Sequence, residues 1–156
     1  MLQDERLVRW FLDHGADPNI GGTRFAQTPM FFAARTANLN VLRILHENGG
    51  KFDNLLHEAI TCDTPGRREI IDYLLAHGAD VSATRSAHPP THALSAWEPG
   101  GAPLHYAIRA QKKDLVILFL QHGASLESTD KEGRTPLQLA RAEGHDDLIS
   151  LLEAAG

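Results

Sequence analysis

The 156-residue chain is 42% hydrophobic and 22% charged, which is typical of a folded globular domain and excludes a disordered tail. Its formal net charge of -5 argues against general binding to nucleic acid or to an anionic membrane. No apolar stretch approaches the roughly 20 residues of a bilayer-spanning helix, and the acidic N-terminus does not resemble a secretory signal. The single cysteine, Cys62, cannot form a disulfide within the chain. We therefore expect an intracellular, cytoplasmic protein.

Apolar runs of helical character recur along the chain, and each leads to a phrase that contains glycine. The runs are VRWFL (8–12), VLRIL (41–45), IIDYLL (70–75), LVILFL (115–120) and LISLL (148–152). The glycines that follow them are Gly15, Gly49, Gly78, Gly123 and Gly156. Glycine is expected at these points because a helix ends most easily on a residue that tolerates the left-handed conformation.

A second phrase precedes each later run. Its copies are TPMFFA (28–33), NLLHEA (54–59), APLHYA (102–107) and TPLQLA (135–140). A threonine or another small residue can cap a helix, and proline fits the first turn, where no backbone donor is needed. The alanine that ends each phrase leaves room for a neighbouring helix. Each unit is therefore predicted to be a turn, a short helix, a second turn and a longer helix that ends at glycine.

The two phrases, recurring in a fixed order, resemble the ankyrin family, whose repeat of about 33 residues carries T-P-L-H-x-A. Only His57 and His105 retain the histidine of that phrase, and Leu55 stands where proline is expected. The resemblance implies an all-α ankyrin-repeat solenoid of stacked helix-turn-helix units in a single domain over 1–156. The predicted repeats are a partial one at 1–19 and four full ones at 20–52, 53–81, 82–126 and 127–156.

Such units cannot bury their apolar faces alone, so stacking is expected to form a shared core. The leucines predicted to form it are Leu42, Leu45, Leu74, Leu75, Leu118, Leu120, Leu151 and Leu152. The first unit lacks its short helix, so we expect Trp10 and Phe11 to be partly uncovered. The long insertion at 82–101 is rich in proline and glycine, which excludes a long helix or a central strand. It is either a plain loop or a segment that packs through its apolar residues.

The sequence offers few candidates for a catalytic or metal-binding site. His14, His77 and His122 precede glycines at predicted helix ends, where a donor side chain suits the helix dipole. His88 and His92 are spaced as H-x3-H, but zinc needs three or four ligands and no cysteine lies nearby. Cys62 has no evident catalytic base. We therefore expect no enzyme activity, no metal and no cofactor.

The ankyrin resemblance implies that the first helices and the finger-like turns between repeats line a groove that grips a partner. By register, the candidate groove residues are Arg35, Thr36, Thr61, Arg109 and Glu143 on the helices, and Arg24, Phe25, Gln27, Lys131 and Arg134 on the fingers. The insertion adds Arg85, Trp97 and Glu98. Basic residues outnumber acidic ones in this set, so an acidic peptide or an acidic protein face is the predicted partner.

The sequence therefore favours a non-catalytic protein–protein interaction module, a scaffold or adaptor. An alternative is a regulatory or targeting segment of a larger enzyme or receptor, which the unfinished first repeat favours because it suggests a longer array. A metal-dependent switch in the 82–101 insertion is a third reading. Reversing the charges of Arg35 and Arg109 together is expected to abolish capture of the partner and to leave the melting temperature unchanged.

Overall fold

The computed structural model describes residues 5–21, 28–53, 55–61, 64–84 and 100–156. Within these ranges the secondary structure is helical, and no strand is present. The helices are α1 (Glu5–Asp13), α2 (Pro29–Arg35), α3 (Leu39–Glu47), α4 (Leu55–Thr61), α5 (Arg67–Ala76), α6 (Pro103–Arg109), α7 (Lys113–Gln121), α8 (Pro136–Glu143) and α9 (Asp146–Ala155).

The helices form two compact units, residues 1–79 and 80–156. In the first unit, α2 packs on α3 and α4 packs on α5, while α2 also packs on α4 and α1 packs on α3. In the second unit, α6 packs on α7, α8 packs on α9, and α6 also packs on α8. We call α2, α4, α6 and α8 the inner helices, and α1, α3, α5, α7 and α9 the outer helices. Stacked helix pairs of this kind confirm the predicted all-α repeat architecture, whereas the single domain over 1–156 remains a prediction.

The inner helices begin where the recurring phrase predicts. The Thr28 hydroxyl accepts a hydrogen bond from the Phe31 amide at 3.2 Å, and Pro29 opens α2. Thr135 caps α8 in the same way, and the Gln138 side chain accepts a hydrogen bond from the Thr135 amide at 3.0 Å. This reciprocal pair satisfies two amides that would otherwise lack a partner at the helix start.

The outer helices end where the recurring glycines predict. Gly15, Gly49, Gly78 and Gly123 all adopt left-handed backbone conformations, with φ between 79° and 88°. A second left-handed position lies in the turn between inner and outer helices, where Gly144 closes α8 with φ 73°. Ala37 and Gln111 occupy the corresponding turns with φ 52° and 53°, although left-handed backbone is unfavourable for residues with a Cβ.

Small and large apolar residues share the core as expected. The four alanines that end the recurring phrases, Ala33, Ala59, Ala107 and Ala140, are fully buried, so within each unit the two inner helices approach one another closely. The predicted core leucines are buried at Leu42, Leu45, Leu74, Leu75, Leu118 and Leu152. The prediction was wrong for Leu120 and Leu151, which are only half-buried. Phe119 occupies the central position in α7 instead of Leu120, and the described helices that pack on α9, α7 and α8, leave Leu151 partly uncovered.

Candidate protein-binding surface

The predicted groove residues on the helices lie at the C-terminal ends of the inner helices. Arg35, Thr61 and Arg109 are the last residues of α2, α4 and α6, so the register inferred from the recurring phrase is confirmed at these points. Thr36 follows as the C-cap of α2, and α8 runs one residue longer in this register, to Glu143. Six candidates on the fingers and in the insertion lie outside the described residues: Arg24, Phe25, Gln27, Arg85, Trp97 and Glu98.

In the first unit, Arg35 projects from the end of α2 into solvent. Its guanidinium carbon lies 6.0 Å from the centroid of the Phe31 ring, at the outer limit of a cation–π contact. No carboxylate of the described residues lies within ion-pair distance of Arg35. Thr61 is exposed at the equivalent position of α4, which packs on α2. We call Phe31, Arg35, Thr36 and Thr61 the Arg35 surface.

The two threonines of the Arg35 surface hold their hydroxyl groups against their own helices. The Thr36 hydroxyl donates to the Phe32 carbonyl at 2.8 Å, and the Thr61 hydroxyl donates to the Glu58 carbonyl at 3.0 Å. Because each hydroxyl proton is used, each oxygen retains only acceptor capacity. The guanidinium is therefore the cationic feature of this surface, and the threonines flank it without charge.

In the second unit, the finger before α8 is organised around one buried carboxylate, Asp130. Its Oδ1 accepts hydrogen bonds from the backbone amides of Glu132 at 3.0 Å and Arg134 at 2.9 Å. Its Oδ2 accepts from the Arg134 guanidinium at 2.8 and 3.0 Å and from Arg109 Nη2 at 2.9 Å. Since Arg109 ends α6, Asp130 fastens the finger to the neighbouring inner helix. The sequence analysis missed Asp130, although an aspartate that opens a turn closed by Gly133 is a recognisable turn signal.

The surroundings of Asp130 keep its carboxyl ionised. Burial alone would raise its pKa, but the hydrogen bond from the Arg134 amide, together with the hydrogen bonds and charge of the Arg134 guanidinium, outweighs burial. The pKa of Asp130 falls from 3.8 to about 2 as a result. In turn, the contact with Asp130 raises the pKa of the Arg134 guanidinium above its usual value. The finger is therefore held by full charges at neutral pH.

The basic residues of the second unit are largely committed to carboxylates of the same unit. Arg109 lies 3.5 Å from Glu143 and 3.7 Å from Glu132, in addition to its bond with Asp130. The Arg134 guanidinium lies 2.8 Å from Glu132, and Lys131 lies 3.9 Å from the same carboxylate. The sequence-based count of charges omitted Asp130. When Asp130 is counted, three basic side chains (Arg109, Lys131 and Arg134) face three acidic ones (Asp130, Glu132 and Glu143). Of the candidate basic residues that the structure describes, Arg35 is the one outside such a network.

Two histidines of the recurring phrase are buried, as a structural role requires. The His105 ring donates from Nε2 to the Arg134 carbonyl at 3.1 Å, which ties α6 to the same finger. Burial lowers the pKa of His105, so the ring is neutral near pH 7. His57 is buried at the matching position of α4. His14 and His77 donate to carbonyls in the last turns of their helices, at 2.7 and 2.8 Å, as their positions before glycine predicted.

The described part of the chain contains no candidate metal site and no candidate membrane-spanning helix. No three histidine, cysteine, aspartate or glutamate side chains gather there in a way that could hold a metal ion. None of its helices combines the length and apolar character needed to cross a bilayer. His88, His92 and Cys62 lie outside the described ranges.

Comparison with known proteins agrees with the repeat architecture. A family model described as ankyrin repeats (3 copies) matches residues 1–85 and 90–156. The putative ankyrin repeat protein YahD of Escherichia coli (strain K12) is 30% identical over all of this chain and 76% of its own length. The potassium channel AKT1 of Arabidopsis thaliana is 28% identical over 96% of this chain, and human Rabankyrin-5 is 31% identical over 67%. The chain spans only 20% of AKT1 and 9% of Rabankyrin-5. The chain belongs to the ankyrin-repeat family.

Proposed function

We propose that this chain is a protein-binding module that captures an acidic peptide or an acidic face of another protein through the Arg35 surface. Ankyrin repeats are generally protein–protein interaction modules and generally non-catalytic. We further propose that the chain has no enzyme activity of its own and acts as a cytoplasmic scaffold or adaptor. The observation that carries the proposal is an exposed arginine with an aromatic ring beside it and no carboxylate of the described chain paired to it.

The chemistry of the Arg35 surface suits an anionic partner. Arginine and aromatic side chains are enriched among the residues that dominate binding energy, and the planar guanidinium can donate two hydrogen bonds to one carboxylate. Arg35 need not first break an ion pair with a described carboxylate, so a partner carboxylate can approach without displacing one. Thr36 and Thr61 are uncharged, so neither adds a negative charge at the helix ends next to Arg35.

The second unit is proposed to contribute contacts of mixed charge. Arg109 and Arg134 are held by Asp130, so a partner carboxylate would have to compete for them with carboxylates already in place. Lys131 and Glu143 are exposed and offer one charge of each sign. The candidate residues outside the described ranges, Arg24, Phe25, Gln27, Arg85, Trp97 and Glu98, are proposed as flanking contacts.

A second candidate function is that of a regulatory or targeting segment within a larger protein. This function is favoured because some relatives are much longer than the stretch that resembles this chain. Diacylglycerol kinase iota of Rattus norvegicus matches 99% of this chain with only 15% of its own length. In such a setting the Arg35 surface would bind a partner on behalf of another domain. Both candidates make the same prediction for Arg35, so one experiment tests the binding role in either.

The experiment is affinity capture with the full chain and matched charge reversals. Arg35→Glu alters the proposed site, whereas Arg43→Glu makes the same change on the outer helix α3 of the same repeat, where Arg43 is also exposed. Proteins captured by the wild type are identified by mass spectrometry and then titrated in purified form. We expect Arg35→Glu to weaken binding by about tenfold or more and Arg43→Glu to leave it within about twofold. Binding that is equal for wild type and Arg35→Glu would overturn the proposal.

Arg109 is unsuitable for the same test, contrary to the sequence-based expectation for the joint reversal. Because Arg109 donates to the buried Asp130, Arg109→Glu would place two carboxylates together. We therefore expect this variant to lower the melting temperature as well as alter the surface. We expect Arg35→Glu and Arg43→Glu to melt close to the wild type. Equal melting temperatures establish that a difference between these two variants reports on binding and not on folding.

A further inference from the structure

The inner helices α2 and α6 end in arginines at the same position of the repeat, but the two arginines have different surroundings. Arg35 and Arg109 are the last residues of these helices, each of which opens with a proline and has the same length. The finger before α8 places Asp130 against Arg109, with 2.9 Å between Nη2 and Oδ2. Arg35 is exposed, and no described carboxylate lies within ion-pair distance of it. The second unit therefore supplies a carboxylate at a position where the described first unit supplies none.

The reason for this difference is the length of the chain between the helices. The connection from α7 to α8 runs over 122–135 and contains the finger, whereas the connection from α3 to α4 runs over 48–54 and is half as long. Asp130 precedes the first residue of α8 by six positions. Six positions before the first residue of α4 lies Gly49, which ends α3. Glycine has no side chain, so nothing extends from this position to Arg35.

The third residue of each inner helix shows a matching difference. In α6 this residue is His105, which is fully buried and donates from Nε2 to the Arg134 carbonyl of the finger at 3.1 Å. In α2 it is Phe31, whose ring is only partly buried and cannot donate a hydrogen bond. The Phe31 centroid lies 6.0 Å from the guanidinium carbon of Arg35. The finger thus covers α6 at two positions, and at the same two positions α2 presents a phenyl ring and a guanidinium side by side.

The finger of the second unit shows which structure fits against an arginine at this position. Its hydrogen bonds are local, because Asp130 Oδ1 accepts from the amides of Glu132 and Arg134. The Gly133 amide donates to the Asp130 carbonyl at 3.0 Å, and Gly133 has a φ of 76°. Asp130 Oδ2 is then directed at Arg109. An aspartate followed three residues later by glycine can form this turn within a short segment of any protein.

We propose that a partner protein supplies the missing finger to the Arg35 surface, as a turn of the form Asp-x-x-Gly. The aspartate of that turn binds Arg35 as Asp130 binds Arg109, through the carboxylate oxygen that its own backbone amides do not use. The residues beside the turn contact Phe31, which replaces the hydrogen bond made by His105. This inference rests on the proposed function and narrows it, because it selects an aspartate held in a tight turn over acidic residues in an extended segment.

The probe that tests this inference is the chain's own finger, made as a separate peptide. A head-to-tail cyclic peptide with the sequence of residues 128–135, STDKEGRT, holds the turn outside the protein. Its two acidic and two basic side chains cancel, so it tests the turn and not overall acidity. The matched control is the same cyclic peptide with asparagine in place of its aspartate. A linear peptide of four glutamates tests binding of acidic residues without a turn.

Each peptide is titrated into the full chain, and binding is followed by NMR of the backbone amides. We expect the aspartate turn to bind with a dissociation constant of roughly 0.1–1 mM, with shifts at residues 33–37 and 59–61. The asparagine turn, and the aspartate turn with Arg35→Glu, should each bind about tenfold more weakly, whereas Arg43→Glu should stay within about twofold. Phe31→His restores the donor that α6 has, so it should bind the aspartate turn about threefold more tightly.

Four results would overturn the inference: no binding of the aspartate turn up to about 10 mM, equal binding of the two cyclic peptides, equal binding to the wild type and Arg35→Glu, or no gain in Phe31→His. The tetraglutamate peptide separates this failure from that of the proposed function. If it binds through Arg35 more tightly than the cyclic turn does, capture of acidic partners stands and the turn is wrong. The two cyclic peptides are compared on the unaltered protein, so the test stays decisive even if a variant fails to fold.

Discussion

Replacing Asp130 by asparagine removes one charge from the second unit and preserves the size of the side chain. The difference between a pKa of 3.8 and one of about 2 corresponds to roughly 2–3 kcal/mol, at about 1.4 kcal/mol for each pKa unit. The asparagine amide would also point donor hydrogens at one of the groups that now donate to Asp130, which adds a cost of about 1 kcal/mol. We therefore expect Asp130→Asn to lower the free energy of unfolding by roughly 2–4 kcal/mol at pH 7.

The pH dependence of this loss has a definite sign. Because folding lowers the pKa of Asp130, its contribution is complete above pH 3.8 and is lost as the pH falls towards about 2. The wild type should thus lose unfolding free energy in this window because Asp130 becomes protonated, and Asp130→Asn should lack this loss because asparagine does not titrate. The difference in unfolding free energy between the two proteins should be largest at neutral pH and should shrink between pH 4 and pH 2.

Urea unfolding followed by circular dichroism at several pH values measures this difference. Asp147→Asn is the control, since it makes the same chemical change at an exposed position of α9 in the same unit. Hydrogen exchange adds a local measurement, because the amides of Glu132 and Arg134 donate to Asp130 and should exchange faster in Asp130→Asn. A difference below about 0.5 kcal/mol at pH 7, or one that does not change with pH, would refute the reasoning.

Three further substitutions test the packing and the turns by thermal and urea melts. Leu74→Ala empties a fully buried site in α5 and should cost about 2–5 kcal/mol, and a loss below about 0.5 kcal/mol would contradict the core. Gly50→Ala would place a Cβ 2.6 Å from Met30 Sδ and 2.8 Å from the Leu45 carbonyl oxygen, so we expect a loss of about 1–3 kcal/mol; a melt equal to the wild type would refute the close approach. Ala37→Gly should relieve the left-handed backbone at φ 52° and stabilise by about 0.5–1 kcal/mol, and a lower melting temperature would exclude that strain.

The elements that depend on local chemistry were predictable from the sequence. Thr28 and Thr135 start inner helices because a capping hydroxyl and a following proline satisfy the first turn within a few residues. Gly49 ends α3 because its left-handed backbone suits a residue without a Cβ. The same register placed Arg35 and Thr61 at matching helix ends. In each case the signal and its structural consequence lie within one turn of the chain.

The features that depend on contacts distant in sequence were not predictable in this way. Asp130 and Arg109 are 21 residues apart, and only the fold brings the finger against the end of α6. A charge count therefore treated Arg109 as available when its guanidinium was already bonded. Leu151 carries the pattern of a core residue, but its burial depends on whether another helix covers α9. Burial and charge pairing are properties of neighbours that a single repeat does not encode.

The central claim is that the Arg35 surface binds a protein partner, and hydrogen exchange with and without the purified captured partner tests it most directly. The account predicts slower exchange in the complex at the C-terminal ends of α2 and α4, around residues 33–37 and 59–61. The outer helices α3 and α5 should exchange as they do in the unbound chain. Slower exchange confined to those outer helices, with no change around Arg35, would contradict the account.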